Sequence, residues 1–153
     1  LQFTNSPVRI ETISSSSITL KNVPNAKFGT FFNNKLFSNS SNLTIDLLGE
    51  NSTLDQKFGN TEVIKVDSNF KKMNVSLNYA KITIALSKLA TNYTLNTNKS
   101  KIIVDSNDAE FLKSNFFKIL KNNETSINGN FSAATNTQNN INLAANLSTV
   151  TIN

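Results

Sequence analysis

Two stretches, Asn92–Val104 (NYTLNTNKSKIIV) and Asn140–Ile152 (NINLAANLSTVTI), lie over one another without a gap. Each opens on Asn, alternates apolar and polar residues, breaks at a turn-prone centre, and resumes alternation after a Ser. Alternation with period two is the mark of a half-buried strand. A strand–turn–strand phrase used more than once is the mark of stacked β architecture. Shorter copies of the opening appear as NLTID at Asn42–Asp46 and NVSLN at Asn74–Asn78. The four copies begin at residues 42, 74, 92 and 140, so no single period fits them. The unit is therefore expected to recur irregularly, with insertions between copies.

Working outward, Val8–Ile13 and Ser17–Val23 alternate in the same way, and Thr61–Val66 is a short β-rich run. Met73–Leu86 (MNVSLNYAKITIAL) reads as two strands with a corner at Tyr79–Ala80. Between these runs lie Asn-, Ser- and Asp-rich turns, served by only four Gly and two Pro. Asn tolerates the left-handed backbone region better than other non-glycine residues. The sequence therefore predicts that Asn takes the bends that Gly fills elsewhere, and that Asn side chains ladder between equivalent turns. A weaker repeat, KFGT at Lys27–Thr30 and KFGN at Lys57–Asn60, points the same way. Asp108–Lys121 (DAEFLKSNFFKILK) has helical spacing and reads as a short helix, with a strand over Asn115–Leu120 as the rival.

The composition supports a folded β domain. The chain has 153 residues, 38% of them hydrophobic and only 16% charged. Uncharged polar residues fill the difference: 27 Asn and 34 Ser plus Thr. Low charge with many β-branched and aromatic residues argues against disorder. The expected fold is all-β: one right-handed, β-helix-like solenoid over residues 1–153 with irregular rungs, and a β-sandwich as the alternative.

The net charge of +5 comes from scattered Lys, with Arg9 the sole Arg. Nucleic-acid binders cluster basic residues and rely on Arg, so no nucleic-acid partner is expected. No apolar run is long enough to span a bilayer. The chain starts without Met, which reads as a trimmed domain whose targeting segment, and any lipid-anchoring Cys, lay upstream.

Chemical motifs are sparse. With no His and no Cys, Ser-His-Asp and Cys-His systems and most zinc sites are excluded. Ser68–Lys71 (SNFK) matches a Ser–Lys acyl-transferase pattern, but the companion K-T-G element is missing. Asp105, Asp108 and Glu110 form the densest carboxylate group. They could serve as acid/base pair or calcium ligands in a carbohydrate-active lyase or hydrolase. Turn and helix-cap duty accounts for them more simply. No cofactor motif is present.

The succession Asn69–Leu86 (NFKKMNVSLNYAKITIAL), Asn92–Val104, Ile127–Phe131 (INGNF) and the closing Asn140–Asn153 resembles the adhesin and auto-transporter-head-like domains of Bacteroidetes-type bacteria. The resemblance covers about the C-terminal two-thirds of the chain. The family tends to carry Gly at turns where this chain has Asn98–Ser100 and Asn146–Ser148. The resemblance implies an all-β solenoid-like fold, export to the periplasm, outer membrane or cell exterior, and an adhesive role without catalytic residues. The expected function is a non-enzymatic surface domain making multivalent contacts with polysaccharide or protein. If one face binds, the Asn/Thr rows at Asn92, Thr94, Asn96, Asn140 and Asn142 are the candidates.

Overall fold

A computed structural model describes residues 1–86, 91–104, 124–130 and 138–153. The chain begins with β1 (Gln2–Thr4), β2 (Val8–Ser14), β3 (Ser17–Lys21), β4 (Ala26–Phe32), β5 (Lys35–Asn39) and β6 (Leu43–Gly49). Two long strands follow, β7 (Asn51–Val63) and β8 (Lys72–Ile84). Then come β9 (Asn92–Asn98), β10 (Lys101–Val104), β11 (Glu124–Asn130), β12 (Asn140–Asn146) and β13 (Thr149–Ile152). All thirteen belong to one mostly parallel sheet.

The register sorts the strands into two rows. The first row runs β1, β3, β5, the N-terminal half of β7, the N-terminal half of β8, β12 and β9. The second runs β2, β4, β6, the C-terminal halves of β7 and β8, β13 and β10. Early partners are separated by 17 or 18 residues, as in Gln2↔Thr19, Lys35↔Thr53 and Ala26↔Leu43. The step lengthens between β7 and β8, where Asn51 faces Lys72. Among the described residues one pairing is antiparallel: β11 caps the first row against β9. Three of the four copies of the Asn-led phrase, in β8, β12 and β9, pair in parallel, unlike the antiparallel pairing that would mark a sandwich.

Alternation directs one set of side chains inward. In the first row Ile18, Leu36, Leu54, Val75, Leu143 and Leu95 form one column through six strands. In the second row Phe28, Ile45, Val63, Ile84 and Ile152 form another. Both belong to one hydrophobic cluster, and most of its members are fully buried. Burying a large aliphatic side chain of this kind stabilises by about 1.5–3 kcal/mol.

The bend from the first row to the second falls at one column: Asn5, Asn22, Ser40, Phe58, Tyr79, Leu147 and Lys99, every one with positive φ. The return bend uses Ser15, Asn33 and Glu50. Tyr79 is thus the corner that the sequence predicts. The expectation that Asn takes the left-handed positions needs correcting, because only Asn5, Asn22 and Asn33 of these ten residues are Asn. What holds the corner is the hydrogen bonding around it. Ser41 Oγ accepts from Val23 N at 2.9 Å and donates to Asn39 O at 3.0 Å. Ser148 Oγ accepts from Ala80 N at 3.1 Å and donates to Asn146 O at 2.7 Å. Ser100 Oγ accepts from Ser148 N at 3.0 Å and donates to Asn98 O at 2.8 Å. The Ser that leads the second half of each long repeat is therefore a clasp between neighbouring strands.

The KFG repeat has a different meaning from the one its sequence suggests. Lys27–Thr30 lies within β4, whereas Phe58–Gly59 sits at a corner. What the two glycines share is a close approach. A Cβ on Gly29 would run into Glu11 O, and one on Gly59, at φ 90°, would run into Ser41 O. The stretch Asp108–Lys121, where the sequence predicts a helix, lies outside the described residues.

Candidate functional site

The outward faces of the rows carry the polar residues that the composition supplies in excess. On the first row, Asn92 faces Asn140, Thr94 faces Asn142, and Asn96 faces Ala144. The gapless overlay of the two long repeats is thus their physical register, continued in the second row by Lys101↔Thr149 through Val104↔Ile152. All five candidate residues share this face. Asn96 is exposed, and the other four are half-buried.

Amide ladders tie the face together. Asn142 Nδ2 donates to Asn74 Oδ1 at 3.1 Å, and Asn146 Nδ2 donates to Asn78 Oδ1 at 3.0 Å. Asn92 Nδ2 reaches Asn140 Oδ1 at a long 3.5 Å, while Asn140 Nδ2 also donates to Gln138 O at 2.6 Å. Side-chain laddering is thus present, and it places Asn74, Asn78, Asn146 and Asn98 beside the named candidates. The sequence names none of these four as candidates, although Asn74 opens and Asn78 closes a copy of the same phrase. The 48-residue offset between the long repeats already pointed to Asn98 and Asn146.

Parallel neighbours lie about 4.8 Å apart and same-face residues along a strand about 6.6–6.8 Å apart. Across β8, β12 and β9 the face is therefore a shallow lattice mainly of amides and hydroxyls, with Lys72 beside Asn140 and Asp55 beside Ser76 at its edges. A depression of about 280 Å³ crosses it, lined by Phe37, Asp55, Ser76, Asn96, Asn142 and Ala144 among others. A larger trough of about 510 Å³ lies on the second row, bordered by Asn25, Lys27, Asn42, Asn60, Glu62 and Lys81 among others.

Charge is thinly spread on these surfaces. Lys27 Nζ lies 3.0 Å from Asp46 Oδ2, and the exposed Arg9 Nε donates to Glu11 Oε1 at 2.8 Å. That hydrogen bond, with the attraction of the Glu11 charge, raises the Arg9 pKa. Burial pushes the Tyr93 phenol up to about 12. Among the described residues no group of three or more Asp or Glu could hold a metal ion, and no helix is long and apolar enough to cross a membrane. Asp105, Asp108 and Glu110 lie outside the described residues. Of the Ser–Lys motif, Phe70 is buried in the core, and Asn69 N donates to Asp67 Oδ1 at 2.7 Å in a tight turn.

Fold and surface together define an all-β, mostly parallel stack, compatible with a β-helix-like form, that displays flat polar faces. No family model, curated protein or solved structure matches the chain.

Proposed function

We propose that this chain is a non-enzymatic, exported surface domain, adhesive or structural, that makes multivalent contacts with polysaccharide or protein. Its fold on this reading is a right-handed β-solenoid with irregular rungs. Handedness follows from the general rule that parallel strands joined by a crossover connect right-handedly. The resemblance to adhesin and auto-transporter-head-like domains agrees with this reading, as do the parallel stacked pairs in Asn92–Val104 and Asn140–Ile152.

The observation that carries the proposal is the in-register polar array on the first row, Asn74–Asn142–Thr94 and Asn78–Asn146–Asn98. Amides and hydroxyls on a fixed lattice suit many weak contacts with an extended polymer. Their summed effect depends on effective concentration more than on any single contact. The laddered amides hold their rotamers, so less side-chain entropy is lost on binding.

The test is retention on immobilised bacterial polysaccharides and surface proteins, measured by interferometry. Asn96→Arg and Thr94→Arg are expected to cut retention about tenfold or more, since a charge replaces a neutral contact within a repeated array. Thr83→Arg on the second row is expected to leave it unchanged. Equal loss from both rows, or none from either, contradicts the assignment of the face. Release of soluble sugar by the unaltered chain contradicts a non-enzymatic role.

A further inference from the structure

The order of strands in the stack departs from their order in the chain. Asn92 follows Lys72 by 20 residues and Lys101 follows Lys81 by 20, close to the 17–21 residues that separate stacked neighbours earlier on. By spacing, β9 and β10 form the next level after β8. Instead β12 and β13, the last strands of the chain, lie between them, paired to β8 on one side and to β9 and β10 on the other.

We propose that residues 140–153 are an exchangeable level: the slot between β8 and β9–β10 accepts this segment from its own chain or from a second copy. Three observations carry this. First, the segment meets both walls of the slot in parallel register along β12 and β13. β11, which ends at Asn130, is held on β9, so the nine residues 131–139 connect the segment to its own stack. A connection of that length reaches about 30 Å when extended, enough to enter a neighbour as well as its own stack. Second, the slot can close without it. Direct stacking of β9 on β8 at the 20-residue offset brings Tyr93 to Met73, Leu95 to Val75 and Ile102 to Ile82, inward on inward. A chain whose segment has been lent out therefore keeps a core. Third, the inserted level is the better neighbour. Thr149 lies between Lys81 and Lys101, which direct stacking would bring side by side, and Ser148 clasps both walls through Ala80 N and its own N–H to Ser100 Oγ. Insertion from a second copy reproduces the same strand pairings as insertion from the chain itself, so exchange between copies costs little beyond opening one level.

The chain has no Cys, so introduced thiols report without background. Asn74 and Asn142 are register partners with side chains 3.1 Å apart, within the reach of a disulfide between parallel neighbours. Full-length Asn74→Cys and full-length Asn142→Cys chains are mixed, unfolded, refolded together and oxidised. The expected result is a 74–142 disulfide heterodimer that grows with protein concentration, as mass action requires. The unaltered chain, refolded in the same way, should show a matching dimer by light scattering. Ser17→Cys, on the same outward column but remote from Asn142, replaces Asn74→Cys as the control. A heterodimer no more abundant than this control overturns the proposal, provided the double variant crosslinks within its own chain. Failure of the double variant to crosslink overturns it too, because the slot would then not have these walls.

Discussion

Replacing Ser148 by Ala tests the corner clasp directly. Ser148 is buried, its Oγ accepting from Ala80 N at 3.1 Å and donating to Asn146 O at 2.7 Å. Ala keeps the Cβ and the fold of the turn but removes both bonds. A buried donor left without its acceptor costs about 1–3 kcal/mol, and the carbonyl loses only one of its options, so the expected loss is about 2 kcal/mol. For a chain of this size that lowers the Tm by about 4–8 °C. Urea unfolding followed by far-UV circular dichroism should show a lower midpoint with an unchanged slope, the sign that stability and not compactness has changed. Ser41→Ala removes the equivalent clasp at the Val23 corner and should cost a similar amount. Ser76, exposed on the outer face, should tolerate Ala within about 0.5 kcal/mol. A Ser148→Ala loss as small as that of Ser76→Ala refutes the reasoning.

Other consequences follow from single positions. Gly59→Ala should destabilise by about 2 kcal/mol or more, because φ is 90° there and the new Cβ meets Ser41 O; calorimetry checks it. Ser38 is buried and its Oγ has no hydrogen-bond partner among the described residues, so Ser38→Ala should raise stability by about 1 kcal/mol in urea titration. Because the folded state holds the Tyr93 proton to about pH 12 against about 10 when unfolded, the unfolded chain binds fewer protons between those values. Stability should therefore fall as pH rises through that window, and Tyr93→Phe should flatten the fall in pH-dependent unfolding.

The strands were legible in the sequence because alternation is a local signal: Met73–Leu77 and Ile82–Leu86 announce their inward faces residue by residue. Register was legible where repeats are long. The overlay of Asn92–Val104 on Asn140–Ile152 is the pairing that the structure shows. The corners were half legible. Tyr79 was found by the change of phase, but Phe58, Leu147 and Lys99 hold left-handed backbone that their side chains do not favour, fixed by neighbouring strands. The order of the stack was hidden, because the 20-residue step from Lys72 to Asn92 reads as adjacency. Only long-range preference puts another level between them. The candidate face was named in part: five residues were placed on it from repetition alone, while Asn74 and Asn78 joined through pairing that spacing does not reveal.

The most direct test of the account is a nuclear Overhauser survey of backbone protons across the first row. The stack described here predicts cross-strand contacts from Ile141 to both Met73 and Tyr93, and from Leu143 to both Val75 and Leu95. Contacts joining Met73 directly to Tyr93, with none from Ile141 to either, would contradict it and dissolve the face on which the proposed function rests.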